Sequence, residues 1–459
     1  MATRIYLISI VLLFCSAKVA GQQYFTLEEC RQLAIDNNKA LKIASEEERI
    51  AYYEKKEALM NFFPKVAATG SYLHFGRDLH LIGRSSIPAN ITLPVIGNIT
   101  IPENIQNDIY RAGRIDMSDF WIGGISLTQP IFAGGKIIAY HDLRSYAEEL
   151  AKSQRDTKLT DIIVEVDEAY WQVVSLANKE KLAESYVQSL QKMDNDIQAM
   201  LDEGVATKAD RLSVSVKLNE AEMTLTKARN GVSLSKMLLC QLCGIEITDA
   251  INVADEKLPE LVLDEETPTN GSAEEAIANR QEIKSLELAT KIYKKQENIT
   301  FSEFLPTAGL SVGYMTTKPN LNDGFENEFG GMWNVGVKVT IPLNFITSST
   351  KLNAAKARTR IARYELEDAK EKIRLQVSQQ TYKLAEANKK LTAAGKNAES
   401  ADENLYYANT GFEEGVISAT DALLAHTAWL SAHAEKVDAQ IDVKLCRIYL
   451  NKALGRSIR

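Results

Sequence analysis

The fold of this chain is decided by the stretch WNVGVKVTI at residues 333–341. Every second residue of the stretch is apolar, and the residues between are polar or glycine. This alternation is typical of a β-strand with one apolar face and one polar face, and the polar face carries a lysine. A length of about ten residues also suits a strand that crosses a membrane in a β-barrel.

Three more strands are predicted, at 121–131, 66–75 and 308–317. Their aromatic residues fit a girdle at a membrane interface, where indole and phenol rings accumulate. The girdle residues are Tyr72, Trp121, Tyr314 and Trp333. Four strands among long helices make a poor soluble sandwich, and the smallest lipid-spanning barrels have about eight strands. Each chain is therefore predicted to supply a share of a barrel that other copies complete.

Two long helices are predicted after the strand pairs. No proline lies between Pro130 and Gly204 or between Pro342 and Gly415, so each stretch supports roughly 68 helical residues, about 100 Å of helix. Apolar residues recur every seven positions, the period of left-handed supercoils. They are Ala169, Leu176, Ala183, Leu190 and Ile197, then Val377, Leu384, Leu391, Ala398, Leu405 and Phe412. Shorter helices are predicted at 27–62, 206–243, 273–303 and 418–455.

The chain repeats itself. Pro64 recurs as Pro306, 242 residues later, and the turn at Gly204 recurs at Gly415, 211 residues later. The first copy holds about 30 extra residues between Tyr72 and Trp121. They are rich in Pro, Asn and Gly, which predicts an exposed loop, either ordered or flexible. The division is a first structural repeat at 22–248, a connection at 249–271 and a second repeat at 272–459.

The N-terminus has the order of a secretory signal peptide. Arg4 precedes an apolar run, and small residues end at Gly21, so residues 1–21 are predicted to be removed. Cys15 raises the alternative of a lipoprotein, which the bulky Phe14 before it disfavours. No other segment is apolar for 18 residues, so a part that spans the membrane must be a closed β-barrel.

Charge and reactive residues exclude several functions. A formal net charge of −8 on a secreted chain disfavours nucleic-acid binding. The five histidines are scattered, and no nucleophile–base pair or phosphate loop is recognisable, so no enzyme activity, metal or cofactor is predicted. Cys240 and Cys243 have the spacing of a redox or metal pair. Because they lie in an apolar helical run, two buried packing cysteines are favoured, and a redox role stays open.

Strand pair, long helix, glycine turn and half-length helix occur twice in this order, which resembles the TolC family of outer-membrane efflux and export proteins. The resemblance rests on QPIFAGGK at 129–136, IPL at 341–343, GVAT at 204–207 and GVI at 415–417. It covers essentially the whole chain after residue 21. It implies a mainly α fold with a small β part: a long α-helical barrel, or tunnel, and four strands per protomer in a shared trimeric transmembrane β-barrel.

The resemblance implies a homotrimeric, passive exit duct in the outer-membrane lipid that extends into the periplasm. A periplasmic adaptor protein and an inner-membrane pump are the implied partners, and small molecules such as drugs or toxic compounds are the expected cargo. Export of a protein is the alternative within this class. A non-channel periplasmic coiled-coil spacer or adaptor is the alternative outside it, and the two-faced strands argue against that alternative.

The two turns farthest from the strands are expected to meet the adaptor. Their apolar residues are predicted to be exposed in the isolated protein, and exposed apolar residues suggest a docking surface. The residues are Gly204, Val205, Ala206, Thr207, Gly415, Val416 and Ile417. An ordinary helix connection buried by its neighbours is the alternative.

The entrance gate and ring are expected at Asp210, Phe412, Ile417, Asp421 and Leu424. In the family, the acid that matches Asp421 forms a negative ring, although either aspartate could equally complement a helix N-terminus. The family's gate tyrosine and arginine correspond to Phe412 and Ile417, and a second ring aspartate corresponds to Leu424. We therefore expect a gate held less by polar side chains and more by packing.

Overall fold

The computed structural model describes residues 24–94, 96–257, 271–343 and 345–456. The predicted signal peptide at 1–21, with Cys15, lies outside these residues, as does part of the predicted connection. Within the described ranges, no helix combines the length and the apolar character needed to cross a membrane.

Helices make up most of the described chain. They are α1 (Leu27–Asn37), α2 (Lys39–Met60), α3 (Glu103–Ala112), α4 (Lys136–Asp202), α5 (Lys208–Cys243), α6 (Ala273–Asn279), α7 (Gln281–Ser302), α8 (Phe345–Glu413) and α9 (Ala419–Ala453). The long helices α4 and α8 have 67 and 69 residues. Their lengths match the two proline-free stretches, so the long helices predicted from the sequence are confirmed.

The strands are shorter than the helices and contain fewer residues in total. They are β1 (Tyr24–Phe25), β2 (Lys65–Leu73), β3 (Leu79–His80), β4 (Asn90–Leu93), β5 (Gly97–Thr100), β6 (Arg114–Ile115), β7 (Phe120–Ala133), β8 (Asn252–Val253), β9 (Thr307–Lys318) and β10 (Gly330–Thr340). The four predicted strands are β2, β7, β9 and β10, and they form one antiparallel sheet in the order β10-β9-β7-β2. The mainly α fold with a small β part is confirmed.

The helices predicted at 27–62 and 273–303 are each broken into two. Asn38 and Arg280 have extended backbone, with ψ of 125° and 129°. The Asn38 side chain accepts a hydrogen bond from the backbone N–H of Ala40 and donates one to a backbone carbonyl. It thereby satisfies polar groups next to the break, where the helical ladder is interrupted.

The extra segment of the first repeat is more structured than the predicted exposed loop. It contains the paired strands β3 and β6, the hairpin of β4 and β5, and helix α3. Ile87 and Ile115 are buried, at 8% and 3% exposure. The segment therefore contains short paired strands and one helix, although its Pro, Asn and Gly residues predicted only a loop.

Two compact units are built from separate segments. One comprises Ala51–Glu148 and Thr290–Ala362 and contains the four-stranded sheet; the other comprises the remaining segments and contains both helix turns. Each unit draws on both predicted repeats. The repeat boundaries remain a prediction.

The helical unit has its core around Tyr170, where Cys30, Cys240 and Cys243 are buried and unbridged. The packing role predicted for Cys240 and Cys243 is confirmed, and burial raises the pKa of the Cys240 thiol. All residues at the predicted sevenfold spacing in α4 and α8 are buried or half-buried. The packing seam predicted from the period is therefore present.

Candidate functional site

The reversals between α4 and α5 and between α8 and α9 have the same backbone. Gly204 and Gly415 both have φ of +74°, in the left-handed region that favours glycine. The N–H of the following residue, Val205 or Val416, donates to the carbonyl five residues back at 2.8 Å. This is the Schellman pattern that satisfies the last carbonyls of a helix. The two glycines predicted from the repeat thus form equivalent turns.

The apolar residues of the two turns divide into exposed and inward-facing pairs. Val205 is 75% exposed and Val416 is 79% exposed. Ala206 packs against the core cluster under its turn, and Ile417 lies over Gly411, where a Cβ would come within 2.7 Å of it. The prediction of exposure is wrong for Ala206 and Ile417, which are half-buried. Their N–H groups also donate back to the preceding helix, which draws them against it.

Asp210 and Asp421 lie in the first turns of α5 and α9. The Asp210 carboxylate accepts from the hydroxyl and the N–H of Thr207, at 2.6 and 3.0 Å, and Thr207 caps the helix in return. These hydrogen bonds lower the pKa of Asp210. Asp421 accepts from the Ser418 hydroxyl at 2.7 Å. Helix capping therefore accounts for both acids within one chain, and a ring of acids from several copies stays a prediction.

The side chain of Phe412 packs against apolar residues, as expected for a gate held by packing. It is 7% exposed and lies in an apolar cluster contributed by α4, α5, α8 and α9. The buried members with it are Tyr186, Leu190, Met193, Ile197, Val214, Leu218, Ala221, Ala419, Ala422 and Leu423. Leu424, also predicted for the gate, is 63% exposed. The role of both residues in a gate stays a prediction.

A buried histidine that the sequence did not single out joins three helices beside this cluster. His426 on α9 is 2% exposed. Its Nδ1 lies 3.2 Å from the hydroxyl of Ser189 on α4, and its Nε2 lies 2.9 Å from the side-chain oxygen of Asn409 on α8. The ion pair of Lys192 and Glu413, at 2.9 Å, joins α4 to α8 nearby. Hydrogen bonds and an ion pair therefore join the helices beside the apolar cluster around Phe412.

The protonation state of His426 follows from its surroundings. Burial lowers its pKa to about 4, so the ring is neutral at pH 7. With the Asn409 oxygen as acceptor, Nε2 donates and Nδ1 accepts from the hydroxyl of Ser189. The sequence signal was its position: His426 lies three and four residues after the buried Leu423 and Ala422.

The four-stranded sheet has one apolar face that is open to its surroundings. Along β10, Trp333, Val335, Val337 and Val339 point to this face and are 57–76% exposed. The register places apolar residues of β9 opposite them, among them Leu310 opposite Val337. A contiguous exposed apolar surface of this kind marks contact with a membrane or another protein.

The four predicted girdle residues form two cross-strand pairs. Tyr72 lies opposite Trp121, with ring centroids 4.8 Å apart, and Tyr314 lies opposite Trp333. Tyr314 also lies opposite Ile125, four residues along β7 from Trp121. The two pairs are therefore roughly 13 Å apart along the strands, at about 3.3 Å per residue. Membership of a girdle stays a prediction.

The chain combines two long helices that reverse at matched glycine turns with a two-faced four-stranded sheet. The model of the family "Outer membrane efflux protein" matches residues 30–244 and 273–456. The chain belongs to the outer membrane efflux protein family. The resemblance to TolC-type channels drawn from the ordered motifs is confirmed.

Individual relatives are distant in sequence. The alkaline protease secretion protein AprF of Pseudomonas aeruginosa is 24% identical over 334 residues, which are 71% of this chain and 67% of AprF. The outer membrane channel CmeC of Campylobacter jejuni has a TM-score of 0.77 at 15% identity, over 94% of this chain and 85% of CmeC. The outer membrane protein VceC of Vibrio cholerae has a TM-score of 0.74 at 15% identity, over 94% and 97%. The two solved structures share the fold.

Family membership establishes the protein as an outer-membrane channel that extends into the periplasm, and as a passive duct rather than an enzyme. Ducts of this family belong to efflux or type I export systems with several components. A periplasmic adaptor and an inner-membrane pump are therefore its implied partners.

Proposed function

We propose that three copies of this chain form one exit duct, with a helical tunnel and a shared barrel of twelve strands. The observation that carries the proposal is the sheet with an exposed apolar face. Among the described strands, β2 and β10 each have a single neighbour, so two edges need hydrogen-bond partners in lipid. Pairing β10 of one copy with β2 of the next satisfies both edges and closes the sheet.

Membrane residence and assembly are tested together by gel mobility. The outer-membrane fraction should contain the protein, and unheated samples should migrate as a trimer that becomes a monomer on boiling. Crosslinking before solubilisation should give dimeric and trimeric bands. A monomer that stays in solution without detergent contradicts the proposal.

The exposed tips of the turns are proposed to dock the adaptor through Val205 and Val416, flanked by Gly204, Ala206, Thr207, Gly415 and Ile417. Their exposure supports this, since apolar side chains in water gain from being covered. V205D and V416D should abolish efflux in the native cell while leaving the trimer intact. E414A, an exposed substitution in the same turn, is the matched control and should leave efflux unchanged.

The entrance gate is proposed to be closed mainly by packing of Phe412 and Ile417, with Asp210, Asp421 and Leu424 at the entrance. The burial of Phe412 among four helices supports this proposal. F412S should raise single-channel conductance. Y406S, on the same helix but at a side chain 67% exposed, is the control. Equal conductance of the wild type and F412S contradicts the packed gate.

Small toxic compounds are the proposed cargo, and a secreted protein is the second candidate. The similarity to AprF favours the second candidate, because that relative is a protease secretion protein. Deleting the gene separates them. Loss of dye and drug efflux supports the first, and loss of one protein from the culture medium with unchanged drug efflux supports the second.

A further inference from the structure

The charged residues in the four-stranded sheet all have one sign. In β2, β7, β9 and β10, which are described in full, they are Lys65, Lys318 and Lys338, and these strands contain no Asp, Glu, Arg or His. The whole chain, in contrast, is acidic, with 61 Asp and Glu against 53 Lys and Arg. The four-stranded sheet therefore carries a positive charge, whereas the net charge of the whole protein is negative.

The strand register places two of these lysines on one face. Lys65 lies opposite Thr128, Thr128 opposite Ser311, and Ser311 opposite Gly336. Lys338 follows Gly336 by two residues, so its side chain points to the same face. The two lysines occupy adjacent rows of that face, about 7 Å apart along the strand direction at roughly 3.3 Å per residue.

The face that holds Lys65 and Lys338 is the polar one. Near the lysines its residues are small and uncharged, and they are Ser126, Thr128, Ser311, Gly313, Asn334 and Gly336. The opposite face carries Trp333 and the valines of β10. A lysine that faces lipid costs about 2–4 kcal/mol at the bilayer midplane and about 0–1 kcal/mol near the interfaces, whereas a lysine that faces a water-filled pore keeps its hydration. The polar face is therefore the one suited to the lumen.

We propose that Lys65 and Lys338 line the pore and shift its selectivity toward solutes of net negative charge. This inference rests on the trimeric duct proposed above. Two lysines from each of three copies form a positive band, since β2 of one copy and β10 of the next are adjacent edges. Small neighbours leave the band open to the lumen, and rings of like charge set ion selectivity in pores.

Edge-strand lysines have a second known effect, because they discourage pairing with unrelated chains. That explanation predicts more aggregation after neutralisation and no change in ion selectivity. It is the alternative that the experiment must separate from a selectivity role.

The test is the reversal potential of the purified full-length channel in planar bilayers under a KCl gradient. Because Asp210 and Asp421 at the proposed entrance carry the opposite charge, the lysines are read from the shift that their substitution causes. The double variant K65Q/K338Q should shift the reversal potential toward potassium preference, and K65E/K338E should shift it further in the same direction. K65R/K338R should match the wild type. K318Q is the matched control, since Lys318 lies on the opposite face at the far end of β9, and its substitution should change nothing.

The outcomes separate this inference from the duct itself. A folded wild-type protein that gives no trimer band contradicts the trimeric duct. Channels of normal conductance whose reversal potential is equal in the wild type and in K65E/K338E overturn the lysine band alone. Trimer bands on unheated gels verify folding. If a double variant does not assemble, S311K adds charge to the same face and should increase chloride preference.

Discussion

The core around Tyr170 and the four-stranded sheet use their apolar residues in opposite ways. Tyr170 is fully buried, and its hydroxyl donates to Asp255 at 2.7 Å. Beside it, the buried Asp167 accepts two hydrogen bonds from Arg31, both at 2.7 Å. In the sheet, Val337 is 63% exposed although it lies in the middle of a strand face.

The difference teaches which part of the fold one chain completes by itself. Around Tyr170, apolar surface is removed from water and buried polar groups are paired within the protomer. In the sheet, the backbone ladder is formed, but the apolar side chains have no cover within the sheet. In the proposed trimeric duct, lipid and other copies cover the sheet, whereas the core around Tyr170 is completed within one chain.

Truncation should separate the two regions most strongly. Y170A removes a buried ring and leaves Asp255 without its donor, so we expect a loss of about 3–5 kcal/mol in the free energy of unfolding. V337A in detergent should change it by less than about 0.5 kcal/mol, as surface substitutions do. Guanidinium unfolding in detergent measures both. Similar losses for the two variants would break the contrast between the regions.

A charge placed on each face of β10 tests which face meets lipid. V337K should cost about 2–4 kcal/mol in a bilayer, because a lysine on the lipid face loses hydration. N334K, on the polar face, is the matched control and should cost much less. Unfolding of the reconstituted trimer in lipid vesicles gives both values. A larger loss for N334K would mean that the faces are reversed.

The regular parts of both regions could be predicted from the sequence. The lengths of α4 and α8 follow from the proline-free stretches after Pro130 and Pro342 and from Gly204 and Gly415 just beyond their C-terminal ends, because proline and glycine interrupt helices. β10 follows from the strict alternation of residues 333–341, which is typical of a two-faced strand, and β7 follows from the weaker alternation of its counterpart in the first repeat. The Schellman turns follow from Gly204 and Gly415, since positive φ is where glycine is favoured.

The irregular parts depend on partners that are distant in sequence. The break at Asn38 is stabilised by the carbonyl of Leu242, and neither proline nor glycine marks it. Ile417 turns inward because Gly411 leaves room for it, a contact that no periodicity reports. His426 sits on an apolar helix face and finds its hydrogen-bond partners on two other helices, so its pairing could not be foreseen.

His426 makes the stability of the helical unit depend on pH. Its pKa is about 4 when folded, below the ordinary value of 6.5 expected when unfolded. Between these values the unfolded chain binds more protons, so the free energy of unfolding should fall by about 3 kcal/mol as pH drops from 7 to 4. Unfolding titrations across this range measure the slope.

Substitution at His426 identifies the source of that slope. H426Q keeps hydrogen-bonding groups but does not titrate, so it should flatten the part of the pH dependence between 6.5 and 4. A wild-type slope in H426Q would assign the effect to other groups.

The smallest expected effect lies at the turn between α4 and α5. There a helix cap formed within the chain lies next to an exposed apolar side chain. The hydroxyl of Thr207 caps α5 within the chain, so T207A should cost about 1 kcal/mol. T224A removes a hydroxyl that bonds back along the same helix and should be nearly neutral. Hydrogen exchange at the amide of Asp210 reports the loss locally. V205A, two residues before Thr207, should leave exchange at that amide unchanged. The exposed side chain of Val205 takes no part in the hydrogen bonds of the cap.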